Sequence, residues 1–314
     1  MTSFIAKKSL GQHFLHAPNV VGAMIHVARI EPGMIVLEIG PGKGVLTRGL
    51  LKAGANVIAV EKDERAIEYM KENFAAEVAL GRLKLVQDDI LAINPADLGL
   101  EKENYIVTAN IPYYITGEIL RKFLTVQDHP KRMVLLVQKE VAKRIVAADG
   151  KESILSISVK AYGEPKYIDT VPKRSFRPIP NVDSAIILID KISKEFFEND
   201  QVSASGTFFL RAIPRFPMPS TRPEGSSRSS PKEVPDASPS KLQEKIFFNV
   251  VRAGFAHKRK VLRGNLAKVI PAQTLEKLWI KKNWPTNARA ENFTLEQWKD
   301  IAKETSLFHT GQAK

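Results

Sequence analysis

Six strand-sized apolar runs recur through the first 190 residues, and helical segments separate them. They are Met34–Ile39, Asn56–Val60, Leu83–Val86, Tyr105–Ala109, Met133–Val137 and Ala185–Ile189. Each is continuously apolar or β-branched, the pattern of strands buried on both faces. Asp63–Phe74 instead places Ala66, Ile67, Met70 and Phe74 on one helical face. Strands that alternate with helices in this way read as an α/β doubly wound sheet. A 314-residue chain with 44% hydrophobic residues has room for one such domain and a smaller second one.

The texture changes after the last of these runs. The forty residues from Gln201 to Ser240 hold seven prolines, nine serines and two glycines. Such a stretch cannot bury enough apolar surface to offset its ordering entropy. It reads as a flexible insertion or linker over 196–240, with Phe208, Phe209, Leu210 and Phe216 free to dock locally. Helical spacing returns at Lys241, with Ile246, Phe247, Val250, Val251 and Gly254, then in Leu262–Val269, Leu275–Trp284 and Leu295–Ala302. The expected organisation is therefore a catalytic α/β domain over 1–195, the linker, and a small all-α domain over 241–314.

Composition removes several chemistries. The chain has no cysteine, which excludes disulfides, thiolate zinc sites and thiolate attack on a pyrimidine ring. No apolar run approaches the roughly 18 residues needed to span a bilayer. The first 30 residues carry no acid, as transit peptides do, but they are not Arg-rich, so the expectation is an unprocessed cytoplasmic chain. Lys and Arg number 47 against 34 Asp and Glu, a net charge of +13. That excess suits a polyanionic partner, although scattered solvated lysines would produce it too.

Leu37-Glu38-Ile39-Gly40-Pro41-Gly42-Lys43-Gly44 follows a strand and precedes a helix. Glycines let a backbone turn sharply and approach a ligand closely. Glu61 ends the next strand, 21 positions after Gly40, a spacing suited to a carboxylate that accepts both ribose hydroxyls. A dinucleotide site wants a third glycine where this chain has Val45, and the Walker pattern is absent as well. Glu38-x-Gly40-x-Gly42-x-Gly44 resembles the first motif of S-adenosylmethionine-dependent methyltransferases, which have no pyrophosphate to seat, and the resemblance implies that cofactor. Asp88, in Gln87-Asp88-Asp89 after the third run, is placed to accept from a cofactor adenine or simply to cap a turn.

Asn110-Ile111-Pro112-Tyr113 follows the fourth run. The amino nitrogen of adenine is a weak nucleophile because its lone pair is delocalised into the ring. Two fixed acceptors for the amino hydrogens favour the pyramidal form whose lone pair is free to attack. The Asn110 side-chain oxygen and the Ile111 carbonyl suit this role, with Pro112 restricting the backbone. Tyr113 offers a stacking face for a base drawn out of its helix.

Together these segments resemble the ribosomal RNA adenine dimethyltransferase family of the KsgA type, over essentially the whole chain outside the Pro/Ser-rich stretch. Ser9-Leu10-Gly11-Gln12-His13-Phe14-Leu15 is similar to its N-terminal signature, where many members have Asn at the place of His13. Val171 to Pro180, followed by Val182-Asp183-Ser184-Ala185, is similar to its late motif. The resemblance implies a Rossmann-like seven-stranded methyltransferase sheet with a small all-α C-terminal domain. It implies cofactor contacts at His13, Leu15, Gly40, Gly42, Glu61, Asp88 and Asn110. It also implies a catalytic group of Asn110, Ile111, Pro112, Tyr113 and Phe176, the last packing on the adenine opposite Tyr113 unless it is an ordinary loop aromatic. The substrate implied is two adjacent adenosines near the 3′ end of small-subunit ribosomal RNA in an immature subunit.

Phe255 to Leu266 is similar to the family's basic C-terminal helix motif. Its Lys258, Arg259, Lys260 and Arg263 make a broad cationic surface for RNA phosphates or a solvated charge run. Lys7, Lys8, Lys173, Arg174 and Arg177 would extend a cationic surface around the site. Three alternatives stay open here: an RNA-binding assembly factor without turnover, a large-subunit methyltransferase of the resistance type, and a nicotinamide oxidoreductase. No heptad or dimer seam stands out, so a monomer is expected.

Overall fold

The computed structural model describes residues 12–198 and 239–311. Lys7, Lys8, Ser9–Gly11 and most of the Pro/Ser-rich segment, including Phe208, Phe209, Leu210 and Phe216, lie outside the described residues. Two compact units emerge: one runs to Phe196 and takes in Ala290–Leu295, and the other comprises Phe197–Arg289 and the stretch from Glu296.

The first unit is built on nine strands: β1 (Phe14–Leu15), β2 (Ile35–Ile39), β3 (Asn56–Glu61), β4 (Leu83–Gln87), β5 (Tyr105–Asn110), β6 (Arg132–Gln138), β7 (Glu164–Val171), β8 (Phe176–Arg177) and β9 (Ser184–Asp190). Seven of them form one sheet in the order β4-β3-β2-β5-β6-β9-β7. The strands from β4 to β6 run parallel, and β9 and β7 complete the sheet antiparallel. All six expected apolar runs are strands of this sheet. The seventh, β7, is not among them. It pairs only with β9, contains Pro165, and exposes Glu164, Lys166 and Asp169. An edge strand wetted on alternate residues has no continuous apolar signal to read.

Helices cover the sheet, and their packing fixes the turns at the strand ends. The helix Val45–Lys52 starts from Gly44, whose φ is +71°. A Cβ there would sit 2.7 Å from Met70 Sδ and closer still to the Phe74 ring. Glycine is thus required both by the left-handed turn and by the next helix pressing against it. That neighbour, Glu64–Asn73, is capped by Asp63, whose side chain accepts from the Arg65 N–H, and it buries Ala66, Ile67 and Met70. A separate two-stranded ladder pairs Leu15 with Phe176 and Phe14 with Arg177, joining the N-terminal segment to the late motif.

The second unit comprises the helices Pro239–Gly254, Leu262–Leu266 and Ala272–Lys282 and the stretch from Glu296, whose fully buried Trp298 lies against Gly254 and Phe255. The basic motif is not one helix. Helix Pro239–Gly254 ends, and Lys258, Arg259 and Lys260 fall in the turn that follows. The buried Asn265 side chain donates to the carbonyls of Gly254 at 2.7 Å and His257 at 3.1 Å. Those bonds satisfy a freed helix-end carbonyl and stop the helix short of the basic run. Among the described residues no helix is long and apolar enough to cross a membrane.

One buried ion pair sits where the parallel and antiparallel halves of the sheet meet. Arg132 opens β6, Asp190 closes β9, and Nε lies 3.4 Å from Oδ1 with both side chains under a tenth exposed. The Arg132 guanidinium also donates to the Ala28 carbonyl at 3.4 Å. Asp190→Ala would strand a buried cation and is expected to cost about 3–5 kcal/mol in urea unfolding. The apolar double variant Arg132→Met/Asp190→Leu should recover most of that loss, because it removes both charges together.

Candidate active site

In an open α/β sheet, ligands bind beyond the carboxyl ends of the parallel strands, where the strand order reverses. Here the reversal falls between β2 and β5, since β3 lies on the other side of β2. The chain leaves β2 through Gly40 and leaves β5 through Asn110, so the glycine turn and the tetrad flank that crevice. A Cβ built on Gly40, whose φ is +66°, would meet nothing within 4 Å. The turn therefore has open space on the side where a ligand can approach the backbone.

Glu61 closes β3 beside the turn. Its Oε1 accepts from the Asp63 N–H at 2.9 Å and its Oε2 from the Gly42 N–H at 3.3 Å. A carboxylate has about four acceptor positions, so acceptor capacity remains for a ribose hydroxyl. Burial pushes the Glu61 carboxyl above its ordinary pKa, against the pull of the Asp63, Gly42 and Lys62 N–H groups. Asp88 follows β4, the neighbouring strand, and is exposed, with one oxygen accepting from the Asp89 N–H at 2.6 Å. Next to it, Lys62 and Asp89 pair at 2.9 Å.

Asn110 is held by its amide. Its Nδ2 donates to the His13 carbonyl at 2.9 Å. His13 is fixed in turn: Nδ1 donates to the Pro178 carbonyl at 2.8 Å, and the ring lies stacked 6.1 Å from the Tyr113 ring. With the amide nitrogen occupied, the Asn110 side-chain oxygen stands on the opposite side of the group as a fixed acceptor. Tyr113 is half-buried, and its hydroxyl lies 3.0 Å from Ser184 Oγ at the start of β9. Burial raises the pKa of that hydroxyl, with the Asp183 charge adding to it. Ser184 is the residue whose part the sequence did not reveal; a serine at a strand start carries no mark of what it will touch.

The expected residues do not all meet at the crevice. Gly40, Gly42, Glu61, Asp88 and the Asn110–Tyr113 tetrad lie at or just beyond the ends of neighbouring strands, and His13, just before β1, is tied to Asn110. Leu15 and Phe176 do not present open side chains: they are 5% and 1% exposed and belong to the hydrophobic core. Phe176 pairs with Leu15 across the short ladder and packs in the same hydrophobic core. Lys173, Arg174 and Arg177 are exposed along the late motif. Lys258, Arg259 and Lys260 are exposed in the second unit, whereas Arg263 is half-buried on its helix.

The sheet thus offers no pyrophosphate turn at its switch point, but it does offer a ribose acceptor and, one strand away, an amide oxygen beside a stacking ring. That is the layout of an α/β methyltransferase that acts on a planar amine. Residues 3–205 match the family model for ribosomal RNA adenine dimethylase. A ribosomal RNA small subunit methyltransferase A of Dehalococcoides mccartyi is 35% identical over 301 residues, covering 95% of this chain and 88% of the relative. One of Thermosynechococcus vestitus is 32% identical over 305 residues, covering 95% and 96%. Among solved structures, a dimethyladenosine transferase from Plasmodium falciparum has a TM-score of 0.67 at 22% identity, covering 92% of this chain and 96% of that one. The 23S rRNA methyltransferase ErmE has a TM-score of 0.65 at 22% identity, covering 93% and 99%; at that identity the likeness to both is one of fold. The chain belongs to the ribosomal RNA adenine dimethylase family, whose members use S-adenosylmethionine.

Glu38, in the middle of the glycine motif, is 1% exposed, and burial pushes its pKa up to about 7, with Thr47 opposing the shift and Glu61 adding to it. Between its ordinary value of 4.5 and about 7, the folded chain holds a proton that the unfolded chain has released. Stability must therefore fall as pH rises through that window. Glu38→Gln removes the titration. Its stability relative to the parent should improve by up to about 3 kcal/mol between pH 4.5 and pH 8. Urea unfolding of both proteins at the two pH values checks this; an unchanged difference would mean that Glu38 titrates alike in the folded and unfolded chain.

Proposed function

We propose that this chain dimethylates two adjacent adenosines near the 3′ end of small-subunit ribosomal RNA, in an immature small subunit, and that the Asn110–Tyr113 tetrad is the reacting site. The observation that carries this reading is the bond from Asn110 Nδ2 to the His13 carbonyl at 2.9 Å. It fixes the amide so that its oxygen, not its nitrogen, is available to an incoming amine.

S-adenosylmethionine supplies an electrophilic methyl group on a sulfonium. The open space over Gly40 and the spare acceptor positions of Glu61 fit its nucleoside end, with Asp88 placed for the adenine. Leu15, being buried, contributes through its main chain. Asn110 Oδ1 and the Ile111 carbonyl accept the two amino hydrogens of the target adenine and favour the pyramidal nitrogen. Tyr113 stacks on the extruded base, held by Ser184, and Phe176 acts as a positioning residue behind it. No strong base is needed, because the methylated amino group is cationic and sheds its proton to water. The rate enhancement comes from alignment and from acceptors set in advance. Lys173, Arg174 and Arg177 on the first unit, and Lys258, Arg259, Lys260 and Arg263 on the second, supply cations for RNA phosphates.

Labelled S-adenosylmethionine and unmethylated small-subunit particles, followed by nucleoside analysis, test the proposal. Dimethyladenosine should appear in the small-subunit RNA. Asn110→Ala should lower kcat by about 10²–10³-fold, the usual cost of losing one transition-state partner, while particle binding persists. Methylation confined to large-subunit RNA, or undiminished by Asn110→Ala, would overturn it.

A further inference from the structure

A second recess opens beside the tetrad. It has a volume of about 490 Å³ and lies between the start of the helix Lys139–Val146 and the loop that leads into β9. Asp183 lines it and ties both sides together. The Asp183 carbonyl accepts from the Lys139 N–H at 3.0 Å, and the Asp183 carboxylate accepts from the Lys173 N–H at 3.0 Å. The Lys173 N–H thus engages one carboxylate oxygen of this acid and softens its repulsion of an anion. Lys139, Lys143 and Lys173 project from the walls, and none of the three makes an ion pair among the described residues. Glu140 is the one other acid in the lining. Val182, 45% exposed, and Asn181 form an apolar and a polar shoulder on the loop.

The recess is tied to the reacting site through one peptide unit. Ser184, the next residue after Asp183, holds the Tyr113 hydroxyl at 3.0 Å. Consecutive Cα atoms are only about 3.8 Å apart, so whatever fills the recess lies one residue from the support of the stacking ring. The volume falls within the roughly 300–1,000 Å³ that small-molecule sites occupy, enough for a single nucleotide. Its three free ammonium groups are the point charges that phosphates attract.

We propose that this recess binds the nucleotide adjoining the extruded adenosine, its phosphate among Lys139, Lys143 and Lys173 and its base against Val182 and Asn181. The inference rests on the reading of the tetrad as the methylation site. A neighbour held here would keep the strand splayed while the target base occupies Tyr113, so the recess sets which adenosine of a sequence is presented. Its cations act on RNA binding, and the tetrad acts on chemistry.

A photoreactive benzoylphenylalanine in place of Val182, bound to unmethylated small-subunit particles and irradiated, tests this directly. The cross-link should map to the nucleotide next to an adenosine that the unsubstituted protein dimethylates. In parallel, Lys139→Gln/Lys143→Gln should raise KM for particles about tenfold at moderate salt and reduce the salt slope of binding by about two contacts. It should leave kcat within about twofold, with Lys84→Gln as an inert control. A cross-link elsewhere in the particle, or an unchanged KM and salt slope, would overturn the inference while methylation by the parent protein leaves the tetrad reading standing. Absence of adenine methylation by the parent protein would overturn both.

Discussion

Everything at the crevice depends on the reversal of strand order between β2 and β5. A parallel sheet buried on both faces has no free surface for chemistry except at the strand ends. The reversal sends the connections after β2 and β5 to opposite faces and leaves a gap between them. Gly40 and Asn110 stand at the two sides of that gap because they end adjacent strands in register, Ile39 beside Ala109. A one-residue slip of β5 would move Asn110 off the crevice and reverse the facing of Tyr105–Ala109. The apolar runs therefore do two jobs: they bury the sheet and they set the register of the reacting groups.

The glycine motif carries a conflict that its position explains. Glu38 lies inside β2 between Leu37 and Ile39, and burial opposes its ionised form more strongly than the Thr47 hydrogen bonds favour it. Glu61, one strand over, meets the same desolvation, but three main-chain N–H groups oppose it there. Two acids of one motif thus sit in different electrostatic settings a few ångströms apart. The one bonded by the turn can remain an acceptor for a ribose, whereas the one within the strand approaches neutrality near pH 7. Local rules broken at a functional site are where sequence and stability are expected to disagree.

How much of this was legible beforehand follows from the same physics. The six apolar runs announced six strands because central strands have no wet face to break the pattern. Strand β7 escaped because Glu164, Lys166 and Asp169 wet it, and only the family resemblance supplied a seventh strand. The glycine turn, Glu61 and the tetrad were visible because their chemistry depends on residue type and on spacing along the chain. The burial of Phe176 was not legible because it depends on a ladder with Leu15, some 160 positions away, which no local pattern encodes. The basic run read as a helix because its end is set by Asn265, a buried side chain reaching back to Gly254 and His257.

The antiparallel edge is what gives the late motif its reach. A parallel β9 would need a long crossover and would start at the far end of the sheet. Running antiparallel to β6, β9 begins where β6 ends, with Ser184 beside Gln138. Ser184 is thereby delivered to the carboxyl ends of the parallel strands, within hydrogen-bond range of Tyr113. The loop before it must then cross the same end of the sheet, carrying Asp183, Val182 and Asn181 past the helix that starts at Lys139. The stacking ring and the adjoining recess are consequences of one reversal of direction, so a change that loosens β6–β9 pairing disturbs base holding and strand holding together.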